Sequence, residues 1–287
     1  TSDKADISLG CRLNKNSKMP ITRRIGNTIF SIMLSFFASQ KVKDTASGMR
    51  VVRRAILNEI YPLPDGLHFT PAMSAKAVSN PDLKILEKDM TYNEREGESK
   101  LNVIKDGIRF FNIICRLSFM YRPQVLLNST GFLFGLITLL LMIQPVSFYI
   151  ENSYLLEQMI YRIIVSGLFS VVALIFFSTS YLSEKIIRVS LLKNHKIRTK
   201  NVISTFFESH LLSYGCAIFF ICFGILLTLD SITTRFYLGY TDEHWSRYLG
   251  MTFLFTYSFI IIGTKVTDLT LGLIIQKKDF LLNLNKN

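Results

Sequence analysis

The chain lacks most of the signatures that mark an enzyme at sequence level. Its four cysteines, Cys11, Cys115, Cys216 and Cys222, form no Cys-x-x-Cys pair, and the last two fall inside an apolar run. This excludes a disulfide framework and a zinc-ribbon or redox motif, and reads as unpaired thiols in a reducing compartment or in lipid. The histidines, at 68, 195, 210 and 244, are scattered without metal-ligand spacing. No nucleic-acid motif accompanies the net charge of +12, so nucleic acid is not expected as a partner. Thr1 is followed directly by polar residues, so no signal peptide is read there, and the missing initiating methionine leads us to expect further sequence upstream.

Apolar residues, by contrast, are abundant. They make up 49% of the 287 residues, which together with a positive mean hydropathy is too apolar for an ordinary soluble protein of this length. The excess is concentrated in four runs, at about 125–146, 158–182, 211–229 and 248–266. Each approaches the roughly 20 residues that cross a hydrocarbon core of about 30 Å. None carries a central ionisable residue, which offers little support for a transporter or channel. Lys265 and Asp268, three residues apart at the end of the fourth run, are read as snorkelling toward the interface.

The connections between the runs orient them. Phe148–Glu157 has no Lys or Arg and carries Glu151 and Glu157, whereas Ser183–His210 holds Lys185, Arg188, Lys193, Lys196, Arg198 and Lys200. The positive-inside rule then puts the soluble part and both termini in the cytoplasm. The setting expected is a bacterial inner membrane.

Ahead of the runs, residues 1–100 read as mixed α/β. Ala5–Leu9 alternates as a short strand and leads into Gly10-Cys11-Arg12. Ile25, Ile29, Ile32, Met33 and Phe36 repeat at helical spacing within Ile21–Gln40, a helix that packs on a core or touches a membrane surface. Lys41–Val52 reads as a turn centred on Ser47-Gly48 followed by a strand, and His68–Val78 as a second helix. Leu83–Met90 alternates as an edge strand. It runs into Tyr92–Leu101, a polar loop that offers Arg95, Ser99, Lys100 and free backbone N–H groups around Gly97. Such a loop suits a phosphate or pyrophosphate, although Glu94, Glu96 and Glu98 alternate with those groups.

Residues 101–122 form a separate amphipathic segment. Lys105, Asp106, Arg109, Asn112 and Arg116 make a narrow polar stripe, with Ile104, Ile108, Phe111, Ile114 and Leu117 opposite. That distribution fits a helix lying in the plane of a bilayer surface, ahead of a membrane domain at 123–287.

The series A-D-I-S-L-G-C-R, R-R-I-G-N, D-T-A-S-G-M-R, H-F-T-P-A-M and R-E-G-E-S-K-L resembles the polyprenyl-phosphate glycosyltransferases, the family-two enzymes similar to dolichol-phosphate mannosyltransferase and its bacterial glucosyl relatives. The match runs in order over roughly residues 5–120. The resemblance implies the C-terminal part of a nucleotide-sugar-binding α/β domain, followed by an interfacial helix and four transmembrane helices. It implies transfer of a sugar from a nucleotide diphosphate to a membrane polyprenyl phosphate, with inversion, and a divalent metal (Mg2+ or Mn2+). By the same resemblance Arg12, Arg23 and Asn27 fall where the acceptor phosphate is held. Asp44 and Ser47 belong to the turn beside the reacting centre, and Arg95, Ser99 and Lys100 to the loop closing over the donor pyrophosphate. Cys11 stands where the family's G-S-R motif has serine.

No D-x-D occurs to hold the metal, so the donor and metal half is expected ahead of Thr1 or on a second chain. A processive polysaccharide synthase is disfavoured because its Q-x-x-R-W motif is missing; the sole tryptophan is Trp245. A non-enzymatic polyprenyl-phosphate-binding or flipping module with a degenerate domain is the remaining alternative. A homo-oligomer is admitted. The sugar, the nucleotide and the polyprenol length are not legible.

Overall fold

A computed structural model describes residues 5–14, 17–37, 40–66, 69–80, 82–93, 103–191, 201–238 and 244–284. The chain divides into two units, one made of the residues up to Pro123 together with Leu191, and one made of Gln124–Ser190 and the described residues from Asn201 onward.

The first unit is built on a three-stranded sheet of order β2-β1-β3. Strand β1 (Ile7–Cys11) lies at the centre, antiparallel to β2 (Arg50–Val52) and parallel to β3 (Ile85–Asp89). Its alternation is that of a half-buried strand, with Ile7, Leu9 and Cys11 turned into the core. Helix α1 (Ile21–Phe37) follows β1, and a 3-10 turn and the short α2 (Leu57–Ile60) follow β2. Helix α3 (Phe69–Ser79) is buried along most of its length, its small residues Ala72, Ser74, Ala75 and Ala77 letting neighbours approach closely. Leu34 of α1, Met73 and Val78 of α3, and Ile114 of α4 (Val103–Tyr121) close one core with Ile7 and Leu9.

Two helices distribute their faces differently from what periodicity alone indicates. On α1 the stripe Ile21, Ile25, Ile29, Ile32 and Phe36 is more than half exposed, while Asn27, Ser31 and Leu34 are buried. Ser31 donates to the Val42 carbonyl, and Phe30 packs edge-on against Phe110 of α4. Of the two placements expected for α1, the core takes Phe30, Met33 and Leu34 and leaves the isoleucine stripe uncovered within this unit. The apolar face of α4 is divided in the same way. Phe110, Ile114 and Leu117 pack inward, whereas Ile108, Phe111, Phe119 and Met120 remain exposed. Its polar stripe is not uniformly wet either: Asp106 is buried and pairs with Arg109 at 3.3 Å.

Among the described residues, the second unit has four helices long and apolar enough to cross a membrane: α5 (Pro123–Asn152), α6 (Ile160–Leu191), α8 (His210–Leu238) and α9 (Trp245–Leu284). All four extend beyond the apolar runs, because the polar flanks continue the helical hydrogen bonding. The basic connection between α6 and α8 also contains a short helix, α7 (Val202–Glu208), opened by a reciprocal cap between Asn201 and Ser204. Close approach in this unit relies on glycine: a Cβ at Gly167 would clash with the Phe253 ring, and one at Gly131 would stand 2.7 Å from that of Phe177.

Lys265 does not snorkel. It is 0% exposed, and its ammonium donates to the Phe207 carbonyl of α7 at 2.7 Å while lying 3.6 Å from Asp268. Asp268 in turn accepts from Tyr181 at 2.6 Å and from Lys185, so α6, α7 and α9 meet at one buried ionic cluster. The sequence expectation fails here because α7 brings a carbonyl within reach, making the interior a better solvent for the ammonium than the interface.

Candidate functional site

Strand β1 delivers Arg12 past its C-terminal end, where Gly10 permits a close approach: its N–H donates to the Met49 carbonyl at 2.9 Å, and an added Cβ would clash with Met90 Sδ. The turn after α1 delivers Asp44 from the other side. The two side chains form a two-point pair, Nε to Oδ2 at 2.7 Å and Nη2 to Oδ1 at 2.8 Å, and the Arg12 backbone N–H adds a third bond to Oδ2 at 3.0 Å. Asn27 of α1 donates to Oδ1 at 2.7 Å and receives a hydrogen bond from Thr45 Oγ1 at 3.2 Å. Three of the sequence-expected residues, Arg12, Asn27 and Asp44, are therefore brought into direct contact. Arg23 lies one turn before Asn27 and so on the same face of α1; its guanidinium has no hydrogen-bond partner among the described residues.

Asp44 is 0% exposed. Burial by itself would raise its pKa, but the hydrogen bonds and charge of Arg12, with Asn27, outweigh that and hold the carboxyl below its ordinary range. With both oxygens occupied, Asp44 orients Arg12 and is poorly placed to accept a proton from a substrate. Ser47 is also fully buried, and its hydroxyl has no hydrogen-bond partner among the described residues; its carbonyl accepts from Arg50.

Three participants escape the sequence reading. Glu87 of β3 accepts the backbone N–H groups of Lys43 (2.8 Å) and Asp44 (2.9 Å), locking the turn to the sheet. Arg50, the last residue of D-T-A-S-G-M-R, binds neutral acceptors among the described residues: the Ser47 carbonyl, the Thr70 carbonyl at 3.1 Å and Ser74 Oγ at 3.4 Å. Burial, partly offset by Asp44 and reinforced by Arg12, pushes its pKa down to about 10. Tyr92 places its ring 5.9 Å from the Arg12 guanidinium carbon. The alternation of β3 was a usable signal for Glu87 and the motif's terminal arginine one for Arg50, but a partner 43 or 44 residues away is not a sequence property.

Arg95, Ser99 and Lys100 lie outside the described residues. Tyr92, which begins that loop, stands against Arg12. Among the described residues no group of three or more His, Cys, Asp and Glu side chains could hold a metal ion. Asp44 has both oxygens engaged by Arg12 and Asn27, so these residues do not fit the divalent metal that the resemblance implies.

No family model matches the chain. Two curated proteins of Haloferax volcanii are similar to it. A low-salt glycan biosynthesis hexosyltransferase is 33% identical over 135 residues, 46% of this chain and 32% of the relative. A dolichyl-phosphate hexose transferase is 33% identical over 110 residues, 37% of this chain and 46% of the relative. The chain thus spans between about a third and just under half of these relatives' lengths. At modest identity and over part of its length, the chain is similar to these two transferases, which supports the resemblance to the polyprenyl-phosphate glycosyltransferases.

Proposed function

We propose that this chain supplies the acceptor side of a membrane-bound transferase that moves a sugar from a nucleotide diphosphate to a polyprenyl phosphate at the cytoplasmic leaflet. The observation that carries the reading is the Arg12–Asp44–Asn27 constellation with Arg23 beside it. Asp44 fixes Arg12 through Nε and Nη2 and leaves Nη1 without a partner among the described residues. Arg23 adds a second cation on the same side of α1. Preset guanidinium groups suit an oxyanion, because they hold its oxygens in fixed geometry.

The chemistry asks for little else from these residues. A phosphate monoester has a second pKa of about 6, so the acceptor is largely a dianion at neutral pH and needs no general base. One of its oxygens forms the bond to the anomeric carbon as the bond to the nucleoside diphosphate breaks, the leaving oxygen keeping the electron pair. A single displacement of this kind inverts the centre. The protein's task is to bring two anions together, which arginines perform by orientation and charge. The uncovered isoleucine stripe of α1 and the outward face of α4 are what a bilayer surface would cover.

The cation assignments are tested by steady-state kinetics on the full-length natural protein, with each substrate varied in turn. Charge-assisted hydrogen bonds contribute on the order of 1.5–3 kcal/mol each, so losing one should change affinity by roughly 10- to 100-fold. Arg23→Lys is expected to weaken apparent affinity for polyprenyl phosphate and leave that for the donor nearly unchanged. Arg95→Ala is expected to do the reverse and lower the maximal rate. Equal, small effects on both substrates would remove the assignment. Lipid binding without any transfer would instead favour the binding-module reading.

Topology has its own test. With cysteine placed singly at positions 151 and 196, an impermeant thiol reagent applied to intact cells should label 151 and spare 196. Labelling of 196 from outside would overturn the cytoplasmic placement.

A further inference from the structure

The second unit contains a cleft of about 860 Å3 that the transferase chemistry does not use. It opens at the end of the helices that carries the α5–α6 and α8–α9 connections, between α5, α6, α8 and α9. The volume lies in the range of ligand pockets. Its extent along the helices is informative. Lining residues run from Thr138 to Tyr149 on α5 and from Ser246 to Tyr257 on α9, an axial rise of eleven residue steps each. At 1.5 Å per residue that is about 16 Å, or about half of a 30 Å hydrocarbon core. That length is comparable to the depth of one leaflet.

Its chemistry is graded along that depth. The walls are Met142, Val146, Leu226, Leu227 and Phe253. The hydroxyls at the inner end satisfy one another or backbone groups: Ser170 bonds Tyr257, and Thr138 donates to the Phe134 carbonyl at 2.9 Å. The inner end is therefore apolar to an occupant. The outer end carries Asp230, His244, Arg247 and Tyr149. The space is an open groove between helices rather than an enclosed void, and among membrane-spanning helices a groove with apolar walls is covered by lipid chains.

We propose that this cleft binds a glycosylated membrane lipid, its hydrocarbon chain between α5 and α9 and its sugar at Asp230, His244 and Arg247. The mixed charge at the mouth selects the headgroup. The Asp230 carboxylate accepts hydroxyl protons, His244 turns Nδ1 to Ser246 and leaves Nε2 for the ligand, Arg247 balances the charge of Asp230, and the Tyr149 ring offers an apolar platform. The proposal rests on the second unit alone and is independent of the reaction assigned to the first.

Trp245, the sole tryptophan, gives the readout: it adjoins the lining residues His244 and Ser246, its ring centroid 4.8 Å from that of His244. The chain is placed in phosphatidylcholine nanodiscs doped in turn with dibrominated monoglucosyl diacylglycerol, phosphatidylcholine or phosphatidylglycerol, and quenching of Trp245 is followed. The glucosyl lipid should quench at several-fold lower mole fraction than the other two. Asp230→Asn, which keeps the shape, should reduce that preference. Gly250→Leu should abolish it: a Cβ there meets only Leu227 at 3.6 Å, so the larger side chain occupies the cleft. Equal quenching by all three lipids would mean ordinary boundary contact and overturn the proposal. Preference for phosphatidylglycerol would overturn the choice of a sugar headgroup.

Discussion

Asp44→Ala should destabilise the first unit by about 3–5 kcal/mol, the loss typical when one partner of a buried ion pair is removed. The side chain holds Arg12 at two points, the Arg12 backbone N–H and Asn27, and no part of it reaches solvent. Without it the Arg12 guanidinium remains mostly buried with Arg50, also a cation, in its electrostatic neighbourhood. Thermal unfolding in detergent, followed by proteolysis of the first unit, measures the effect. Replacing both partners together, Arg12→Met with Asp44→Leu, should recover much of the stability, because no uncompensated charge is left behind. Transfer activity should not return with it. A double variant that is both stable and active would show that the pair serves folding alone.

The same pair makes a pH prediction with a definite sign. The Asp44 carboxyl is held below its ordinary range in the fold, whereas in the unfolded chain it titrates near 4. Its contribution is therefore complete above about pH 4 and is lost as pH falls through the lower folded value. Asp44→Asn should flatten the acid limb of the stability profile. An unchanged acid limb would dissociate Asp44 from acid unfolding.

Asp268→Ala should have a comparably large effect on the second unit, about 3–5 kcal/mol, because it leaves Lys265 wholly buried and Lys185 without its carboxylate. Lys265→Met should be much milder. It removes the buried charge itself, and Asp268 keeps Tyr181 and Lys185. The difference between the two melting temperatures in one detergent is the measurement. Two small, equal shifts would return Lys265 and Asp268 to the membrane interface, where the sequence reading places them.

The membrane helices were legible because hydropathy summed over about 20 residues is a local quantity and needs no partner. Strand β1 and edge strand β3 were legible for a related reason: alternation is written into consecutive residues. The motif series names Arg12 and Asn27 for one role and Asp44 for another; the direct contact of Asp44 with both is a property of the fold.

Helix α1 shows where that legibility stops. Its isoleucine stripe declares an apolar face, but periodicity is the same whether that face meets protein or lipid, and only packing turned Asn27 and Ser31 inward instead. Lys265 fails in the opposite direction. A lysine near the end of a span is free to snorkel until another element offers it an acceptor, and that acceptor, the Phe207 carbonyl, is 58 residues away on a helix the hydropathy pattern does not announce. The capture of the Lys43 and Asp44 N–H groups by Glu87 is of the same kind. Residue type, period and span length belong to neighbours along the chain and were determined by the sequence. Which carboxylate faces which cation is decided by separations of a few ångströms between distant residues, and those exist only once the chain has closed on itself.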